Sequence, residues 1–145
     1  MNCIKGSSLP VMLLLLLSVC SLPACGQVPV YEVRVINTYA HDAAAFTQGL
    51  VIYNGDLYEG TGRNGASSLR RVALESGEIL QRHNLSTRYF GEGITIMGER
   101  IFQLTWQSQL GFVYDRDSFA LQGTFFLPGE GWGITHDDTH LIVSD

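Results

Sequence analysis

From Glu32 onward, apolar and β-branched runs of four to eight residues alternate with Gly, Asn and Asp clusters, and little of the chain carries a helical period. That is the all-β pattern. It predicts strands over Glu32–Thr38, Leu50–Tyr53, Leu57–Gly60, Leu69–Leu74, Ile79–His83, Ile94–Met97, Arg100–Trp106, Phe112–Tyr114, Gly123–Leu127, Gly133–Thr135 and Leu141–Val143. Asn54-Gly55 sits between two of these runs. A type I′ hairpin turn needs positive φ at both central positions, which this pair supplies at low cost. Met97-Gly98-Glu99 and Asp137-Asp138-Thr139 occupy equivalent places.

The turns expose a repeat. Gly49, Gly93 and Gly133 are each followed by an aliphatic residue (Leu50, Ile94, Ile134), with another eight positions after the glycine (Leu57, Ile101, Leu141). The glycines are 44 and then 40 residues apart. A period of that size with about four strands per unit is a propeller blade. A sandwich gives no reason for a Gly-aliphatic step to recur at fixed internal spacing. The third unit ends at Asp145 after two strands, so the pattern predicts about two and a half blades of a truncated propeller.

Just before each repeated glycine stand Phe46-Thr47-Gln48, Phe90-Gly91-Glu92 and Gly129-Glu130-Gly131-Trp132. Gln48, Glu92 and Trp132 are therefore equivalent, and in a propeller the first strand of each blade lines the central channel. A carboxyl at Glu92 in an apolar, Trp-lined mouth has its pKa raised by desolvation, the condition for acid–base work near neutral pH. Taken alone, Gly91-Glu92-Gly93 also reads as a turn with a solvated charge. Trp106 and Trp132, the two tryptophans of the chain, suit either core filling or an aromatic clamp for a small polar ligand. His136-Asp137-Asp138-Thr139-His140 has metal-ligand residue types but occupies a hairpin slot, and it is read as a turn. Gly62-Arg63-Asn64-Gly65 is too short for a phosphate loop, and no Gly-x-Ser-x-Gly nucleophile motif occurs.

The N-terminus changes the picture of where this domain works. Lys5 precedes an apolar run, Val11–Val19, too short to span a bilayer, and small residues follow near Ala24. Residues 1–24 read as a secretory signal. Leu22-Pro23-Ala24-Cys25-Gly26 resembles a bacterial lipobox, which makes Cys25 the predicted lipidation site. The expected location is periplasmic or outer-membrane lipoprotein if bacterial, and otherwise secreted, with membrane contact only through the lipid. Residues 25–38 form an N-terminal segment whose strand is expected to close the ring, and residues 39–145 the propeller portion. Beyond the signal, Cys25 is the single cysteine, so no internal disulfide can form. Eight arginines then face fourteen carboxylates, a net charge of −6, which argues against a nucleic acid partner.

Six ordered stretches resemble the plant and bacterial glutaminyl cyclotransferase family. They are Phe46-Thr47-Gln48-Gly49-Leu50, Ser67-Ser68-Leu69-Arg70, Phe90-Gly91-Glu92-Gly93-Ile94-Thr95, Gln103-Leu104-Thr105-Trp106, Gly111-Phe112-Val113-Tyr114-Asp115 and Pro128-Gly129-Glu130-Gly131-Trp132-Gly133. The resemblance implies a five-bladed β-propeller that converts N-terminal glutaminyl residues of peptides or proteins to pyroglutamyl with loss of ammonia. It also implies Glu92 as the acid–base residue, and Phe46, Gln48, Trp106 and Trp132 as the substrate pocket. The family places an asparagine, a lysine and a further tryptophan in later blades, without counterparts here. No metal or other cofactor is expected for the reaction, and a structural cation on the propeller axis is left open. The competing reading is a non-catalytic exported propeller that binds peptides or cell-envelope material. A lactonase-type propeller would need a ring of carboxylates and histidines around calcium, which this pattern lacks.

Overall fold

The computed structural model describes residues 28–145; the proposed signal and Cys25 lie outside the described residues. The chain divides into two units, Met1–Val35 and Ile36–Asp145. In the first unit, residues 28–35 have no secondary structure and are exposed throughout. No strand forms over Glu32–Thr38, for which the expected partner lies in a blade beyond the ten strands described. Its alternating Val and Ile pattern suits a strand, but a strand also needs a ladder for its backbone N–H and C=O groups. None of the described strands pairs with it.

The larger unit holds ten strands. β1 (Thr47–Tyr53), β2 (Asp56–Thr61), β3 (Ser68–Ala73) and β4 (Ile79–Asn84) form one antiparallel meander in sequence order. β5 (Gly91–Met97), β6 (Arg100–Thr105), β7 (Leu110–Asp115) and β8 (Leu121–Phe126) form a second. β9 (Ile134–His136) and β10 (Leu141–Val143) make a third hairpin. These are two complete propeller blades and the first two strands of another. The turn chemistry is as the residues demand: Asn54 and Gly55 have φ of 51° and 89°, and Asp138 and Gly98 have 69° and 62°. His136–His140 is a hairpin turn in which Asp137 Oδ1 accepts from the backbone N–H of Thr139 and His140, at 2.9 and 2.7 Å.

Burial follows position in the blade. β5 and β6 are covered along nearly their whole length, whereas β4 and β8 alternate between exposed and half-buried residues as outer strands do. The core includes Tyr58, Leu69 and Leu85 from the first blade with Ile94, Ile101, Phe112 and Tyr114 from the second. Each such side chain removed from water stabilises the fold by about 1.5–3 kcal/mol. The residues ahead of β1 are tied down by a polar network around the buried Glu59 carboxylate. Thr47 Oγ1 donates to it at 2.6 Å, His41 Nε2 lies 2.9 Å away, and Arg70 bridges Glu59 (3.7 Å) and Asp42 (2.8 Å).

The repeated glycines mark where successive inner strands meet. A β-carbon on Gly49 would stand 2.6 Å from the backbone nitrogen of Ile94, and one on Gly93 would stand 2.5 Å from the carbonyl oxygen of Trp132. No side chain fits at either place. The sequence repeat is therefore a steric requirement of the blade-to-blade approach.

Candidate active site

The register of the ladders decides how Gln48 and Glu92 are presented. In the first blade Thr47 pairs with Thr61 and Gly49 with Gly60, which leaves Gln48 as an extra residue. In the second, Gly91 pairs with Thr105 and Ile94 with Gln103, so Glu92 and Gly93 share the space opposite Leu104. Both are β-bulges, which bend a strand and re-aim a side chain. The two polar residues thus sit on equivalent irregularities, and Glu92 lies within the strand rather than in a solvated turn.

Gln48, Glu92, Trp106, Trp132 and Gly133 line one cavity of about 410 Å³. This is a size typical of small-molecule sites, roughly 300–1,000 Å³. Trp132 is held by its backbone on both sides: its carbonyl accepts from Gly93 N–H at 2.9 Å, and its own N–H donates to Ser144 O at 3.1 Å. Trp106 is held likewise, donating to Phe90 O at 3.0 Å and accepting from Gly131 N–H at 2.9 Å. Four of the five residues expected at the site are therefore brought together.

Phe46 is not among the residues lining this cavity. Its ring packs edge-on against Phe90 (centroids 6.1 Å apart, planes at 87°), and Phe90 packs in turn against Trp106 at 5.5 Å. The Arg63 guanidinium covers the Phe46 ring at 5.2 Å. Phe46 reaches the site through a ladder of rings, with Phe90 as the rung between. The repeat explains the asymmetry. Phe46 and Phe90 are equivalent, and so are Gly62 and Trp106, since Gly62 N–H donates to Phe46 O as Trp106 N–H donates to Phe90 O. A side chain at 62 would collide with the Phe90 ring and crowd Gln48. The first blade keeps that position empty and the second fills it with indole.

Glu92 is only 9% exposed. Burial is the main cause, and the negative charge of Glu130 the second, of a carboxyl pKa raised to about 7. Glu130 itself was not singled out from sequence. Its Oε2 accepts the indole N–H of Trp106 at 2.8 Å and that of Trp132 at 3.1 Å, while Oε1 accepts from Gln107 Nε2 at 3.0 Å. Those three donors, Gln107 foremost, hold Glu130 below its usual pKa and charged. A weak signal existed: Gly129-Glu130-Gly131 repeats the Gly91-Glu92-Gly93 triplet. A second cavity, about 490 Å³, opens among His83, Arg88, Tyr89, Phe112 and Tyr114 and has no carboxylate in its lining. Burial lowers the pKa of its His83.

The chemistry available at the first cavity is proton transfer near neutral pH beside two aromatic walls and an amide. Residues 10–145 match the family model described as glutamine cyclotransferase. Over 116 residues the chain is 40% identical to the glutaminyl-peptide cyclotransferase of Arabidopsis thaliana, covering 79% of this chain and 36% of that protein. The crystal structure of Myxococcus xanthus glutaminyl cyclase matches with a TM-score of 0.70 and 36% identity, over 77% of this chain and 47% of that one. The chain thus spans less than half the length of either relative. With a match running from residue 10 to its last residue, the chain belongs to the glutamine cyclotransferase family.

Proposed function

We propose that the protein is a glutaminyl-peptide cyclotransferase, acting on peptides or proteins that begin with glutamine. The observation that carries this reading is a buried carboxyl, Glu92, poised at about 7 in a cavity walled by Trp106 and Trp132. In this reaction the substrate's α-amine attacks the δ-carbon of its own side-chain carboxamide. The new N–Cδ bond closes a five-membered lactam, the bond from Cδ to the amide nitrogen breaks, and ammonia leaves. The protein supplies no nucleophile. It has to fold the glutaminyl side chain into a near-attack geometry and move one proton.

Glu92 takes the proton from the attacking amine and returns it to the departing nitrogen. A pKa near the working pH suits both directions of transfer, because neither the acid nor the base form is then scarce. Gln48, displayed by its own bulge in the same cavity, is the hydrogen-bonding partner for the substrate amide. The tryptophans exclude water and give the forming ring flat walls. The step requires no metal or organic cofactor. Residues 1–24 act as an export signal and Cys25 as the anchor point, placing the domain outside the cytoplasm. Palmitate labelling that is lost in Cys25→Ser tests the anchor.

The activity is tested by incubating the full-length protein with a peptide that begins with Gln and following the mass of the N-terminal residue. Loss of one ammonia from that residue, and no change in the same peptide beginning with Asn, is the expected result. Tight binding of the Gln peptide without any mass change would replace the enzyme by a binding module.

A further inference from the structure

Glu130 lies in the loop between β8 and β9, flanked by two glycines, of which Gly131 presses that loop against the end of β6. Gly129 has φ of 145°. A β-carbon on Gly131 would stand 2.8 Å from the carbonyl oxygen of Thr105 and 2.7 Å from the Leu127 side chain. This close approach delivers one carboxylate to three donors. A single oxygen, Oε2, accepts from both indoles, although Trp106 directly follows β6 and Trp132 lies just ahead of β9. Both indole N–H groups are then tied to one atom. Gln107 holds the other oxygen and keeps the carboxylate from rotating away.

We infer that Glu130 is a positioning residue of this site: it locks the two indoles into one clamp and supplies a fixed negative charge against which Glu92 exchanges its proton. The inference rests on the cyclotransferase reading for its effect on turnover, but not for its effect on the indoles. The charged group acting on Glu92 is Glu130; Glu130 in turn accepts from Gln107, Trp106 and Trp132, and the Asp145 carboxyl lines a neighbouring cavity with it. A permanent anion beside a protonatable carboxyl disfavours the second charge, as in other carboxylate pairs.

The test uses the full-length protein labelled with ¹⁵N, with the indole N–H resonances of Trp106 and Trp132 assigned from Trp106→Phe and Trp132→Phe. In the unsubstituted protein both resonances should shift together on acidification, with one midpoint below the usual glutamate value, because one carboxylate serves both. In Glu130→Gln that shared transition should vanish, and the titration of Glu92 should move to lower pH. kcat/KM on a Gln peptide should fall roughly tenfold or more as the clamp loosens. Indoles that titrate separately, or a Glu92 midpoint unmoved by Glu130→Gln, would overturn the inference. The unsubstituted titration needs no variant to fold. If that titration behaves as expected while no cyclisation is found, the clamp stands and the enzymatic reading fails.

Discussion

Gly93 donates its backbone N–H to the carbonyl of Trp132 at 2.9 Å, and a β-carbon at 93 would stand 2.5 Å from that same oxygen. One missing side chain therefore joins the strand that carries Glu92 to the residue that forms one aromatic wall. Gly93→Ala should push these apart and cost about 1–3 kcal/mol by overpacking. Gly123→Ala is the control, because nothing lies within 4 Å of its β-carbon position. Urea unfolding of the full-length protein should separate the two variants, with Gly123→Ala close to the parent.

The raised carboxyl of Glu92 makes stability depend on pH in a definite direction. In the unfolded chain Glu92 titrates near 4.5, and in the folded protein near 7. An acid whose folded pKa is raised favours the native state fully below the unfolded value and loses that contribution as pH rises through the folded one. Relative to Glu92→Gln, the parent should therefore lose thermal stability between about pH 4.5 and 7. Melting temperatures of both proteins across that window check it. A difference that stays constant would mean that Glu92 is solvated.

Trp106 and Trp132 should act on binding before chemistry. Either residue changed to Phe loses indole area and the N–H held by Glu130, while Glu92 stays in place. KM for Gln peptides should rise severalfold with a smaller change in kcat. Unchanged kinetics with a large drop in stability would make the rings core residues.

Metal independence follows from the proposed proton transfer. Exhaustive treatment of the full-length protein with a zinc chelator should leave cyclisation intact. Loss of activity that zinc restores would point back to the half-buried His136 and the exposed His140 of the last hairpin.

Much of this was legible in the sequence because the physical demand repeats. Gly49 and Gly93 recur where successive inner strands crowd together, and Asn54-Gly55 announces its turn by the φ values that it adopts. The site was legible in part. A bulge is a property of two paired strands, so the displacement of Gln48 and Glu92 has no mark in either strand alone. Glu130 meets Trp106 across 24 positions, and a Gly-Glu-Gly triplet looks the same in a turn as in a tether. Phe46 was assigned to the pocket by resemblance, yet the ring in contact with Trp106 is Phe90, its repeat equivalent. The Glu32–Thr38 pattern encoded strand propensity, and propensity does not supply a partner.

Whether Glu92 moves the proton is decided by ammonia release from a Gln-initiated dipeptide as a function of pH, for the full-length protein and for Glu92→Gln. The parent's rate should rise through a midpoint near 7 as Glu92 deprotonates. Glu92→Gln should lose that rise and fall by roughly 10²-fold or more in kcat. A variant within a few-fold of the parent, with the same dependence on pH, would contradict the account.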